Sequence, residues 1–417
     1  MTDFINFLIV ITAGVFFSGI LSKIQIPYVT ALILSGIVIG PYLLNWFTPD
    51  PTIEAIASIG VIFLMFMAGL EVNVRHKKYL TKDAFFLITL NSIIPFATGF
   101  CIATAFGYGL MSALVLGIVF ISSSVAIIIP QLEKSGLIHK ALGQNILTAA
   151  VFEDIGSLLL LSMALQTLMP KTPLPIIAYY VILLLSVIVM KIALPKISKL
   201  YHKLIGERDQ FERELLFFFM ILVGTAIYFE ALGVHSIVAG FIIGMLLAET
   251  VRHERLMVKI RTLSYGIFIP TFFVLIGAKL DLGVLLTGES YLFITLVVLG
   301  LIVSKVVSGY VAGRLTKFSK DESLLIGFAT TPQLSTTLAA AFAALGFGLL
   351  DNATITALVA LSIVTTLVAP LVIRKLTARI KQSERDLAVK REMRKIAEKR
   401  KNAKKRRVVK ARRKKKE

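Results

Sequence analysis

The chain has 417 residues, 56% of them hydrophobic and 17% charged, with a mean hydropathy of +0.83. A soluble domain carries fewer apolar and more charged residues, and the polar helical faces that a large water-exposed fold needs are mostly missing. The net charge of +20 is unevenly placed: Gln382 to Glu417 holds 18 Lys or Arg against 5 Asp or Glu, an excess of 13.

From Phe4 to about Leu376 apolar stretches recur, many of them near the ~20 residues that cross a hydrocarbon core of about 30 Å. They predict an all-α multi-pass membrane protein of about 13 helices, over 4–23, 27–47, 53–72, 84–107, 110–132, 141–167, 174–195, 213–230, 233–249, 262–281, 290–313, 322–346 and 353–376. The first stretch follows Asp3 rather than a basic segment, and no small-residue cleavage site comes after it. It reads as a retained helix, not a signal peptide. Cys101 is the single cysteine, which excludes an internal disulfide and a cysteine metal cluster. In its apolar stretch it is expected to be inert packing.

Loop charge supports the count. Basic residues gather after the third helix (Arg75, His76, Lys77, Lys78, Lys82), the fifth (Lys134, Lys140), the seventh (Lys196, Lys199, Lys203, Arg208, Arg213), the ninth (Arg252, Arg255, Lys259, Arg261) and the eleventh (Arg314, Lys317, Lys320). The alternate loops hold Asp50, Glu54, Lys171, Glu230, Glu289 and Asp351. Short cytoplasmic loops are the basic ones, so the N-terminus is expected outside and the C-terminus in the cytoplasm of a cell (inner) membrane. Residues 381–417 read as a basic cytoplasmic tail, helical or disordered. Anionic lipid attracts such residues at about 1 kcal/mol each. Without interleaved aromatics or a further domain, no nucleic-acid partner is expected.

An ionisable side chain at mid-membrane costs at least about 2.5–3.5 kcal/mol and so has a function or a partner. The candidates are Glu153 and Asp154 on the sixth helix and Lys305 on the eleventh. Glu71, Lys191, Lys279 and Asp281 fall near predicted helix ends, where they can snorkel. Two adjacent carboxylates suit a hard alkali cation, and either can hold a proton instead. A static ion pair joining two helices explains the same three residues equally well.

Two polar interruptions stand out. The fifth helix carries Ser122, Ser123 and Ser124 before Pro130; the twelfth carries Thr330, Thr331, Pro332, Gln333, Ser335, Thr336 and Thr337. Proline breaks the helical ladder, and unwound backbone at membrane depth is tolerated only inside protein or beside water. The fifth helix runs inward and the twelfth outward, the pattern of an inverted repeat whose discontinuous helices meet at a midplane ion site. Hydroxyl-rich helix packing would account for either one alone.

Several segments, in this order, resemble the monovalent cation:proton antiporter superfamily, in its Kef- and NapA-like branch. They are Ile26-Pro27 through Gly40-Pro41, Gly60 to Glu71, Ser122 to Pro130, Val151 to Ile155, Phe272 to Leu282, and Lys305. The resemblance spans the second to thirteenth helices. It implies a secondary active transporter exchanging Na⁺ or K⁺ for H⁺ by alternating access, without a cofactor, and a transmembrane exchanger domain over 1–380. That domain would comprise core helices over about 84–167 and 290–376 with crossed discontinuous helices, a dimerising scaffold over about 4–72 and 213–281, and a linker over about 174–195. Asp154 matches the aspartate that takes the cation or proton in turn, Glu153 the position before it, and Lys305 its lysine partner. Ser122, Ser123, Ser124, Thr330, Thr331, Gln333 and Ser335 would line the discontinuous helices.

Two features depart from the family pattern. Electrogenic relatives have Asp, and Kef-like ones Gln or Asn, where this chain has Glu153, so the stoichiometry stays open. Leu334-Ser335 stands where many relatives have Gly-Glu. The roughly 40 residues after the last helix are also too few for the Kef nucleotide-binding domain. A same-fold transporter of another solute, such as an organic anion, and an intramembrane enzyme are the alternatives. The sequence has no HExxH motif, and its histidines fall in loops or at helix ends.

Overall fold

The computed structural model describes residues 2–23, 26–71, 81–168, 175–205, 213–232, 236–247, 254–280, 283 and 288–414. Arg75, His76, Lys77, Lys78, Lys171, Arg208, His235, Arg252, His253 and Asp281 lie outside them. Among the described residues the regular structure is all helical. In order come α1 (Thr2–Ser22), α2 (Tyr28–Ile39), α3 (Pro51–Glu71), α4 (Lys82–Ala105), α5 (Leu110–Ile121), α6 (Val125–Ser135), α7 (Ala141–Leu168) and α8 (Ile176–Ile205). They are followed by α9 (Arg213–Ala231), α10 (Ser236–Leu247), α11 (Glu254–Leu263), α12 (Ile269–Ala278), α13 (Gly288–Leu315), α14 (Lys320–Ala329), α15 (Ser335–Gly346) and α16 (Asn352–Lys414). A π-helical turn, Ser264–Phe268, joins α11 to α12. Among the described residues, ten spans are long and apolar enough to cross a membrane, and Tyr28–Ile39, Val238–Leu247 and Ser335–Gly346 are shorter apolar helices.

Sequence chemistry sets the ends of these elements. α2 stops at Ile39, eight residues short of the predicted 47, because Gly40 precedes Pro41 and takes an extended conformation, ψ 173°. A residue before proline is pushed out of the helical region. Residues 43–47 then fold back, with Trp46 and Phe47 both donating backbone N–H to Ile39 O at 3.0 Å. α14 opens on a capping box, Ser319 with Glu322. The turns after α4, α6, α13 and α15 each use one left-handed residue: Gly107, Gly136, Lys317 and Gly348. These four turns fall at equivalent places in the two segments read as repeats.

Small residues bring helices into backbone contact. A Cβ on Gly36 of α2 would lie 2.0 Å from Val274 O of α12, and one on Gly244 of α10 would lie 2.2 Å from Phe66 O of α3. Apolar solvent gives helices no hydrophobic reason to associate, so close approach of this kind is how they pack. The dense packing falls into two groups. α13 packs on α4, α14 and α16, with α5 on α4; α3 packs on α10 and α12, with α12 also on α2.

Two expectations are corrected. α8 runs ten residues past its predicted end to Ile205, so Lys191 lies mid-helix, exposed. Cys101 is exposed on α4 rather than packed, because that helix turns only a narrow face to its neighbours. Of the two states expected for the tail it takes the helical one: α16 continues unbroken through Pro370 as one helix of 63 residues.

Candidate functional site

Both polar interruptions are breaks in the helices. α5 ends at Ile121 and α6 begins at Val125, leaving Ser122 and Ser124 extended between them. α14 ends at Ala329 and α15 begins at Ser335. The two breaks touch: Ser124 N donates to Pro332 O at 2.7 Å. Each break leaves helix-terminal carbonyls and amides without intrahelical partners, and these must be satisfied locally. Gln333 does so across the gap, its Nε2 donating to Ser122 O at 2.6 Å and Phe120 O at 3.4 Å. Its own Oε1 accepts from Thr337 Oγ1, and its N–H donates to Thr365 Oγ1 at 3.2 Å.

α7 presents Asp154 to this junction, buried to 5% exposure. One carboxylate oxygen accepts from Ser122 Oγ at 2.6 Å and from Ser123 N–H at 3.2 Å. The other accepts from Thr336 Oγ1 at 3.2 Å, in the first turn of α15. A helix N-terminus is the end that favours an anion, so the α15 half-helix and the carboxylate suit each other. Asp154 also faces a cavity of about 1030 Å³, whose walls include Val125 and Pro130 of α6, Leu334 and Ser335, and Thr366 of α16. Lys134 and Arg374 also line it. The site is therefore buried among protein yet reachable from one side.

Glu153, one residue earlier on α7, points away from that cavity. Its Oε2 lies 2.9 Å from Lys305 Nζ in an ion pair with both side chains at 0% exposure. Ser123 Oγ reaches the same oxygen at 2.6 Å, and Asn91 Nδ2 of α4 donates to Oε1 at 2.8 Å. Lys305 Nζ donates further to Ile121 O at 2.6 Å, Ser123 Oγ at 3.0 Å and Asn91 O at 3.2 Å. A cation thus caps the open C-terminus of half-helix α5, the end that favours positive charge. Burying two charges is tolerable only when further hydrogen bonds meet the remaining lone pairs and protons, and Asn91, Ser123 and Ile121 supply such bonds here.

The other residues read from sequence divide. Ser122, Ser123, Gln333 and Ser335 surround the junction. Ser124 contributes its backbone N–H, while its buried hydroxyl has no protein partner. Thr330 and Thr331 turn their hydroxyls back onto their own helix, to Ile326 O at 3.1 Å and Gly327 O at 2.9 Å; Thr330 offers its carbonyl to Ser123 Oγ at 2.8 Å. Asn91, Ser308 and Thr336 join the site in addition to the residues read from the sequence. Asn91 had a legible signal, as a lone amide in an apolar helix four residues before a proline. Away from the junction, Lys279 pairs with Glu54 at 2.6 Å, half exposed.

This fold and site define a multi-pass membrane protein with two buried carboxylates, one of them open to a cavity, beside the contact of two broken helices. Residues 7–379 match the family described as sodium/hydrogen exchanger, transmembrane, and the chain belongs to that family. It is 30% identical over 376 residues to the probable Na⁺/H⁺ antiporter 3 of Methanocaldococcus jannaschii, covering 88% of this chain and 95% of that protein. It is 28% identical over 387 residues to the Na⁺/H⁺ antiporter of Enterococcus hirae, covering 91% and 99%. The Na⁺/H⁺-K⁺ antiporter GerN of Bacillus cereus is 27% identical over 347 residues, covering 82% and 88%. Among solved structures, the sodium proton antiporter MjNhaP1 of Methanocaldococcus jannaschii shares the fold, with a TM-score of 0.64 at 19% identity over 88% of this chain and 94% of that one. These matches support the superfamily resemblance without singling out its Kef- and NapA-like branch.

Proposed function

We propose that this protein exchanges Na⁺ for H⁺ across the cell membrane by alternating access, with Asp154 taking the cation and the proton in turn. The observation that carries the reading is the placement of Asp154. It is buried at the contact of two helix breaks, ringed by the hydroxyls of Ser122 and Thr336, and open to a cavity on one side. Oxygen donors of this kind suit a hard monovalent cation, and a protonated carboxyl can take the place of the ion among the same hydroxyls. The Glu153–Lys305 pair serves as a fixed, neutral anchor beside it. The relatives carry antiporter names, and no observation favours an organic anion or an intramembrane reaction. K⁺ enters as a second cargo through GerN's name.

The grouping of packed helices supports a core of 84–167 and 290–376 moving against a scaffold of 4–72 and 213–281, linked by 174–195. It equally supports the two broken helices crossing within that core. On this reading the N-terminus is outside, the Lys134 and Arg374 mouth of the cavity is cytoplasmic, and two copies pair through the scaffold. Proteoliposomes carrying an inward-acid pH gradient should lose it on external Na⁺ addition. Indifference of the gradient to Na⁺ and K⁺ alike would overturn the function.

The basic end of α16 lies beyond both groups, and we propose that it rests on anionic lipid. Deleting 382–417 should leave the exchange rate in neutral-lipid vesicles within about twofold, since its charges are screened from the site beyond a Debye length. Abolished exchange in a normally folded truncation would place the tail in the mechanism.

A further inference from the structure

α4 passes through the site carrying Asn91 and, four residues on, Pro95, both buried inside the helix. Proline has no N–H, so the carbonyl four residues earlier loses its helical partner. That carbonyl belongs to Asn91, and it is the one that accepts Lys305 Nζ at 3.2 Å. The Asn91 side chain meanwhile holds the partner of Lys305: its Nδ2 donates to Glu153 Oε1 at 2.8 Å, and its Oδ1 accepts from Ser308 Oγ at 2.7 Å. The glutamate can only accept, so it fixes which end of the amide faces it, and Ser308 Oγ donates to the other end. One residue therefore grips both members of the buried pair, with its backbone on the cation and its side chain on the anion.

The grip matters because a second carboxylate is close. Ser123 hydrogen-bonds Lys305 Nζ through its hydroxyl and Asp154 through its N–H, so one residue separates the ammonium from the cation site. An ammonium released from its anchors is an internal competitor for Asp154. Besides Glu153 and Asp154, the groups that the surrounding helices turn toward Lys305 are neutral: the Asn91 and Ile121 carbonyls and the Ser123 hydroxyl.

We propose that Asn91 and Pro95 are positioning residues that hold the Lys305 ammonium on Glu153 and off Asp154, and so set the affinity for the transported cation. The proposal rests on Asp154 being the cation site.

The test is the Pro95→Ala variant of the full chain. Alanine restores an N–H that competes for the Asn91 carbonyl, and it removes a helix breaker. The melting temperature should hold or rise. The Na⁺ KM for proton exchange in proteoliposomes should rise about tenfold, the scale set by losing one hydrogen bond to a charged group, with turnover at saturating Na⁺ within about twofold of the parent, because no atom of Asp154's own shell has changed. A structural role alone would move stability and activity together. Asn91→Leu keeps the backbone anchor and removes the amide, and it should raise KM in the same direction. Na⁺-dependent thermal stabilisation reads affinity without transport, so a slow variant is still informative. Parental Na⁺ affinity in both folded variants overturns the proposal. If the parent itself neither exchanges nor is stabilised by Na⁺, the failure belongs to the cation-site reading instead.

Discussion

Replacing Asp154 with Asn is expected to abolish Na⁺-dependent proton flux while leaving the fold intact. The amide is nearly isosteric. Its oxygen can still accept from Ser122 Oγ and Ser123 N–H, and its NH₂ can donate to Thr336 Oγ1, whose lone pairs are free to accept. The local hydrogen bonds survive in number, so the cost in stability should stay within about 1 kcal/mol. What vanishes is the ionisable oxygen pair, the one carboxylate among the described residues that line the cavity. An amide neither releases a proton nor neutralises a bound cation. The measurement is flux in proteoliposomes beside a thermal melt. Retained exchange in Asp154→Asn would remove the site from Asp154, and a collapsed melt would mean that the aspartate is structural.

Breaking the Glu153–Lys305 pair should give the largest loss of stability. Removing one partner of a buried pair typically costs about 3–5 kcal/mol, because the other charge is stranded. The geometry predicts unequal losses. In Glu153→Gln the ammonium keeps three neutral acceptors, Asn91 O, Ile121 O and Ser123 Oγ, one for each of its protons. In Lys305→Gln the glutamate keeps only the donors Asn91 Nδ2 and Ser123 Oγ, with its charge uncompensated. Lys305→Gln should therefore melt lower than Glu153→Gln, and the double replacement should recover part of the loss. Strictly additive melts would show that the two side chains do not stabilise one another.

Much of this was legible in one dimension. Hydropathy identified a multi-pass helical protein, because a bilayer imposes a length of apolar helix that a sequence must carry openly. The breaks at Ser122–Ser124 and Thr330–Gln333 were visible for the same reason: serine, threonine and proline are conspicuous in an apolar helix. Glu153, Asp154 and Lys305 stood out because ionisable groups are rare at that depth. Adjacency on the chain gave the dipeptide at 153–154 no division of labour, however. Successive residues on a helix point about 100° apart, so only the packing of α7 decides that Glu153 faces α4 and α13 while Asp154 faces the breaks and the cavity. Tertiary structure alone also decided that Gln333 spans to the end of α5, that Thr330 and Thr331 bond back to their own helix, and that Pro95 frees a carbonyl for Lys305. The Gln333 and Lys305 contacts join segments as far as 214 residues apart. A local pattern records which groups need partners; which partners they find depends on how the helices pack around them.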